Sequence, residues 1–197
     1  MIKAIIFDYG GVISKKAGWD VFCMTYAEKY NVNKEEFLKI VHENWGKAKI
    51  NQMNSSFFWK NVAKFLKISE EQLKSDANEY HYFNPAMLEI AKQLKQNYKI
   101  ALLSNHIEDW LEETIIKYKL NEVFEIIVTS YNTGFAKPDK EIYLKILEKL
   151  NLKPEECLFI DDFERNIKAA KALNINCIHF QNENQFREEL KIYNIKL

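Results

Sequence analysis

The chain has 197 residues, 47% of them hydrophobic, enough to bury a core in one domain or in a domain carrying an insertion. Lysine plus arginine and aspartate plus glutamate balance at 28 each, so no net field draws the chain to nucleic acid or to an anionic membrane. Cys23, Cys157 and Cys177 are odd in number and lack metal-type spacing, which reads as reduced core cysteines in a reducing compartment, most simply the cytoplasm.

The first apolar run, Ala4 to Phe7, stops at Asp8, and Tyr9 then leads into Gly10 and Gly11. It carries no charge and no clean alternation, the pattern of a strand covered on both faces, and the glycine pair marks the turn behind it. Asp8 also cuts the run short of the roughly 7 to 15 apolar residues of a signal peptide. No later stretch approaches the ~18 apolar residues of a membrane span. Ligands of open α/β sheets bind beyond the carboxyl ends of the strands, which would put Asp8 where chemistry is done. Taken alone, an Asp ahead of glycines serves equally well as a turn former.

Residues 14 to 84 read as helical and free of strands. Phe37, Ile40 and Val41, then Phe58, Val62, Phe65 and Leu66, recur at the spacing of one helix face. Asn33 with Glu36 and Ser69 with Gln72 read as N-caps with capping-box partners. Most aromatics of this block are expected in its own core, with Trp19, Trp45 and Phe58 the candidates for an open face and a ligand.

After Pro85 helix and strand alternate. Helix Met87 to Gln96 leads to strand Lys99 to Leu103 and then Ser104-Asn105-His106. Helix Glu108 to Tyr118, strand Phe124 to Thr129 and a loop with Gly134 and Lys137 follow, and Pro138 fits the first turn of the next helix. That helix is striped by Ile142, Ile146 and Leu150; strand Cys157 to Ile160 then ends in Asp161-Asp162. A helix with Ile167, Ala170 and Leu173 inward, strand Cys177 to Phe180 and a helix to about Leu190 complete the chain. The prediction is an α/β fold, a parallel sheet with right-handed crossovers flanked by helices, plus an inserted α-helical block.

Strand ends thus carry Asp8, Ser104-Asn105 and Asp161-Asp162, with the loop lysine Lys137 between the last two. Singly, Ser104-Asn105 would serve as a helix cap and Lys137 as a solvated lysine. Two adjacent carboxylates closing an apolar strand repel unless a cation or basic group lies between them. Together on one sheet edge the groups supply a nucleophile, hydroxyl and amide donors, a fixed positive charge and hard-cation ligands, which is the equipment of phosphoryl transfer.

These motifs resemble those of the haloacid dehalogenase superfamily. The likeness is closest to its phosphatase branch with a helical cap, including the N-terminal phosphatase-like part of epoxide hydrolases. Phe7-Asp8-Tyr9-Gly10-Gly11-Val12 is similar to the first motif, Leu102-Leu103-Ser104-Asn105 to the second, Lys137-Pro138-Asp139 to the third, and Phe159-Ile160-Asp161-Asp162 with Asn166 to the fourth. The resemblance implies a Rossmann-like core from residues 1 to 13 and 85 to 197, with a helical cap from 14 to 84.

It also implies a Mg2+-dependent phosphatase, a monomer or homodimer, acting on a small phosphorylated metabolite such as a sugar phosphate or nucleotide. No nucleic acid or membrane is involved. Asp8 would attack phosphorus to give an aspartyl-phosphate that water hydrolyses. Lys137 would offset charge, Ser104 and Asn105 would hold phosphate oxygens, and the N–H groups of Tyr9 and Gly10 would add an anion nest. Asp8, the Gly10 carbonyl, Asp162 and, directly or through water, Asp161 would hold the metal.

One position departs from the family pattern: Gly10 stands where a second Asp usually serves as general acid and base, a role worth about 10² to 10⁴ in rate. Glycine there suits a positive φ or a close approach of the cap. His42, Glu43 or His81 in the cap, or water, could supply the proton, while His106 follows the phosphate-binding pair and His179 reads as structural. The alternatives are a non-catalytic scaffold that binds phosphate ligands and, less readily given Asp161-Asp162, a dehalogenase.

Overall fold

The structure is a computed structural model and describes residues 1–16 and 18–197. Five parallel strands, β1 (Ala4–Phe7), β2 (Lys99–Ser104), β3 (Ile126–Thr129), β4 (Cys157–Asp161) and β5 (Asn176–His179), form one sheet in the order β3-β2-β1-β4-β5. β1 is central because Ala4 to Phe7 are buried on both sides, as the uncharged run requires. Alternate residues serve opposite faces. Ile5, Phe7, Ile100, Leu102, Leu158 and Ile160 join one core layer, and Ala4, Ile6, Ala101, Leu103, Cys157 and Phe159 join the other.

The first layer is closed by α5 (Pro85–Leu94), α6 (Glu108–Tyr118), α7 (Leu120–Val123) and α11 (Glu183–Ile192). The second is closed by α9 (Lys140–Leu150), whose Ile142, Ile146 and Leu150 point inward, and by α10 (Glu164–Ala172) through Ile167 and Ala170. A single turn, α8 (Ser130–Thr133), follows β3.

Between β1 and α5 lie α1 (Asp20–Lys29), α2 (Lys34–Ala48), α3 (Ser55–Leu66) and α4 (Glu70–Tyr80). Asn33 caps α2 by accepting from the N–H groups of Glu35 and Glu36, and Ser69 caps α4 by accepting from Gln72 N–H. The insertion's two ends meet in an antiparallel bridge between Ser14 and Phe83, in a segment expected to lack strand structure. Its core, built on Phe22, Phe37, Phe58, Trp59 and Val62, extends onto Ile107 and Trp110 beside the sheet. Two indole donors fasten this contact: Trp59 to Asp109 Oδ2 at 2.9 Å and Trp110 to Asn78 Oδ1 at 2.7 Å. The N-terminal turns of α6 are thus the seat of the insertion.

Local boundaries depart from expectation where tertiary bonds intervene. Helix α5 begins at Pro85 and ends at Leu94, ahead of the expected Gln96. Strand β3 starts at Ile126 because Leu120–Val123 turns as a helix and Phe124 caps it. Pro138 lies in a turn closed by Asp139 N–H to the Ala136 carbonyl at 2.8 Å, so α9 begins only at Lys140. Cys23, Cys157 and Cys177 are free and buried, as expected. Among the described residues no helix is long and apolar enough to cross a membrane.

Candidate active site

The chain runs from β1 outward to β2 and β3, then returns to β4 and β5 on the other side of β1. The order therefore reverses between β1 and β4, and a crevice opens there at the carboxyl ends of the strands. Asp8 follows β1, Asp161 ends β4 and Asp162 comes next; the three carboxylates each offer an oxygen within 4.8 Å of the others. Lys137 reaches between them, its Nζ 2.7 Å from Asp8 Oδ1 and 2.7 Å from Asp161 Oδ2, with the lysine side chain 1% exposed.

The lysine is held by its own loop. The Asn105 side chain accepts from Lys137 N–H at 2.8 Å and donates to the Lys137 carbonyl at 2.8 Å, an amide pairing that joins the end of β2 to this loop. Asn105 lines the cavity; its Oδ1 is taken by Lys137 N–H and one amide N–H by the Lys137 carbonyl, which leaves the second amide N–H for a ligand oxygen.

Asp161 is fully engaged. It accepts from Phe163 N–H at 2.8 Å, from Asn166 Nδ2 at 2.9 and 3.0 Å, and from Lys137. In this arrangement it anchors the lysine. Asp162 is its opposite: its Oδ1 is buried with no hydrogen-bond partner, while its backbone carbonyl is held by His179 Nε2 at 2.9 Å, the structural role expected of that histidine. Ser104 Oγ and Asn166 Oδ1 are likewise buried and unpartnered. An orphaned buried polar atom costs roughly 1 to 3 kcal/mol, so the bare Asp162 oxygen beside Asp8, and Asn166 Oδ1 in the cavity wall, imply a polar occupant, while Ser104 lies at the end of β2 outside the lining.

Gly11 makes the crowding possible. Its φ is +78°, and a Cβ there would lie 2.2 Å from Asp162 Oδ2. Gly10 has φ −70°, so the positive φ considered for that position belongs to its neighbour. Tyr9 N–H donates to Asp8 Oδ1 at 2.6 Å and thus serves the carboxylate, which corrects its expected place in an anion nest. The protein's hydrogen bonds to Asp8 all fall on Oδ1, so among the described residues Oδ2 is left for a ligand.

Electrostatics follow from burying three carboxylates around one lysine. Burial first, then the neighbouring carboxylates against the pull of Lys137, raises Asp8 well above the carboxylate range. Burial and Asp161 push Asp162 up to about 6. Lys137 stays protonated, since Asp161 and Asp8 outweigh its burial and raise its pKa. The excess negative charge and the open Asp162 oxygen fit a hard divalent cation.

The crevice opens into a cavity of about 420 Å³ walled by sheet-end residues and by the insertion. Trp19 and Trp45 line it as expected, but Phe58 is fully buried behind them, its ring centroid 5.2 Å from that of Trp19. His42 and His81 line it, whereas Glu43 does not and reaches Lys39 at 4.0 Å. His106 lines it too, edge-on to Tyr9 with 5.6 Å between ring centroids. Burial lowers His81 and His106 to about 4, so both rings are neutral at pH 7. Their Nδ1 atoms face the carbonyls of Lys16 and Ile107 at 3.1 Å, which places the proton on Nδ1. Sequence reasoning missed Trp110, Lys49 and Arg165 in the lining. Trp110 alone had a legible signal, a large aromatic at the start of the helix that follows Ser104-Asn105.

The comparisons agree with this geometry. The chain is 26% identical over 184 residues to the phosphorylated carbohydrates phosphatase of Thermotoga maritima, covering 90% of this chain and 84% of that protein. It is 24% identical over 193 residues to acyl-CoA dehydrogenase family member 10 of Mus musculus, covering 89% of this chain but 18% of the mouse protein. A predicted HAD-like family hydrolase from Porphyromonas gingivalis shares the fold, with a TM-score of 0.80 at 20% identity over the whole of both chains. A HAD family enzyme from Bacteroides thetaiotaomicron, in complex with magnesium and inorganic phosphate, shares it with a TM-score of 0.77 at 23% identity, covering 92% of this chain and 95% of that one. The description "haloacid dehalogenase-like hydrolase" matches residues 5–180. With Asp8, Lys137 and the Asp161-Asp162 pair gathered at the switch point of a parallel sheet, the chain belongs to the haloacid dehalogenase-like hydrolases.

Proposed function

We propose that the protein is a magnesium-dependent phosphatase of a small phosphorylated metabolite, working through an aspartyl-phosphate on Asp8. The observation that carries this reading is the buried lysine joining Asp8 to Asp161 while Asp162 Oδ1, in the same carboxylate cluster, stays unpartnered. Magnesium fits the donor set: Asp8, Asp162 and the Gly10 carbonyl would hold it, and when bound it would offset the charge of the phosphate and make phosphorus a better electrophile. The Thermotoga and Bacteroides relatives, a phosphatase by name and a complex with magnesium and phosphate, support the same reading.

In the first step a carboxylate oxygen of Asp8 bonds to phosphorus as the ester oxygen leaves with the bonding pair and takes a proton. In the second, water attacks phosphorus, the Asp8 oxygen–phosphorus bond breaks and inorganic phosphate departs. Lys137 balances charge on Asp8 and the phosphoryl oxygens throughout, and Asp161 with Asn105 keeps it in place. Ser104 Oγ donates to a phosphoryl oxygen. Residues 14 to 84 act as a cap on the core of residues 1 to 13 and 85 to 197, excluding water from the crevice.

Gly10 leaves the departing oxygen without a carboxylic acid. Among the cap groups first considered, His42 lines the cavity and remains available as a proton carrier; His81 lines it too, but its one ring proton is turned to the Lys16 carbonyl, and Glu43 lies outside the cavity. A panel of phosphorylated sugars, nucleotides and small acids, assayed with and without magnesium, tests the proposal. Hydrolysis should require the metal and vanish in Asp8→Asn. No hydrolysis of any ester, with a melting curve indifferent to millimolar magnesium, would instead favour a non-catalytic scaffold.

A further inference from the structure

Two cations in the cavity wall have no role in the steps above. Lys49 follows α2 in the insertion and Arg165 is the second residue of α10 in the core, so the pair spans the cavity's two walls. Neither makes an ion pair among the described residues. Glu164, next to Arg165 in sequence, pairs with Lys168 at 2.8 Å, and Asp139, the carboxylate whose charge acts on Lys49, accepts from Ala136 N–H at 3.3 Å without pairing with either cation. The third lining cation outside the crevice, Lys16, lies 4.4 Å over the Tyr80 ring. Burial and the Arg165 charge lower the Lys49 pKa and the Asp139 charge offsets only part of this, so a further anion beside the two cations would be stabilising. The Arg165 guanidinium packs 5.2 Å from the Phe163 ring, another lining residue, which limits its freedom before binding.

We infer that Lys49 and Arg165 form a second anion subsite, so that the preferred substrate carries a carboxylate or second phosphate besides the phosphate that is cleaved. This deepens the phosphatase reading and rests on it. The cleaved group has its own cation in Lys137, which already holds Asp8 and Asp161 and has a single N–H left for the phosphoryl group, none for a second anion. A substrate of this class would join insertion to core through charge-assisted hydrogen bonds from its second anion to both walls.

Matched substrates test the inference. 3-Phosphoglycerate and glycerol 3-phosphate share a skeleton and differ in a carboxylate against a hydroxymethyl group; propane-1,3-diol bisphosphate against propyl phosphate forms the phosphate arm. The wild type should prefer the doubly anionic member of at least one pair by tenfold or more in kcat/KM, through KM, with the preference shrinking as salt rises. Lys49→Met or Arg165→Met should bring that ratio near one, whereas Lys47→Met, an exposed change on the same helix, should leave it intact. Calorimetry of each pair on Asp8→Asn reads the same preference without turnover.

No preference in a wild type that does cleave esters would overturn the subsite. So would an equal loss on both members of a pair, since the two cations would then be serving the cleaved phosphate. A binding preference that depends on Lys49 in a protein that cleaves no ester would keep the subsite and overturn the phosphatase reading.

Discussion

Gly11→Ala tests the geometry of the metal-ligating edge more sharply than removal of any carboxylate. Gly11 has φ +78° and its missing Cβ would sit 2.2 Å from Asp162 Oδ2. The left-handed backbone costs a non-glycine residue about 1 to 2 kcal/mol, and the overlap adds about 1 to 3 kcal/mol if the surroundings resist. The carboxylate is the part most able to give way, so it should swing off its site. Changing residues that merely orient a ligand costs 10- to 100-fold in metal affinity, and a displaced ligand should cost at least as much.

Gly134→Ala is the matched control, because φ there is +74° and nothing lies within 4 Å of the added carbon. Both variants should lose stability in urea without magnesium, Gly134→Ala by about 1 to 2 kcal/mol and Gly11→Ala by more. Only Gly11→Ala should bind magnesium tenfold or more weakly in calorimetry. Wild-type magnesium affinity in Gly11→Ala would refute the placement of Asp162 as a ligand.

Lys137→Met should cost roughly 3 to 5 kcal/mol, because Asp8 and Asp161 are then buried without their shared cation, and should abolish turnover. A urea melt close to wild type would show that these carboxylates are protonated or hydrated in the folded protein. With glycine at position 10, log kcat/KM for a series of phosphate esters should fall steeply as the leaving-group pKa rises. A shallow plot that steepens in His42→Gln would instead assign the proton to that histidine.

His106 is held neutral, with a folded pKa of about 4 against 6.5, so the unfolded chain binds its proton first. Its contribution is present above pH 6.5 and is lost as pH falls toward 4, to a total of roughly 3 kcal/mol. Asp162, raised to about 6, works in the opposite sense, so the metal-free fold regains stability from it as pH falls toward 4. Urea melts of wild type and His106→Gln across this range separate the two. If the stability difference between wild type and variant does not change between pH 7 and 4, His106 is not buried neutral as described.

Much of this site was readable along the chain because its chemistry sits at strand ends. A parallel strand buried on both faces must be an uninterrupted apolar run, so the polar residues that stop it, Asp8, Ser104 and Asp161, announce the sheet's functional edge. The caps at Asn33 and Ser69 and the inward stripe of α9 were legible for a related reason: each depends on groups within a turn or two of sequence.

What the chain's order alone determined was therefore the fold class, the inserted helices and the set of residues brought to one edge. Tertiary structure alone decided how neighbours divide their labour. Asp161 and Asp162 are adjacent and chemically identical, yet one is saturated by Lys137, Asn166 and Phe163 N–H while the other keeps a bare oxygen. Which glycine takes the positive φ, which of the four tryptophans face the cavity and that Lys49 and Arg165 line it together were equally hidden. Each of these depends on distances between segments far apart in sequence, and hydrogen-bond saturation, burial and charge are properties of such distances.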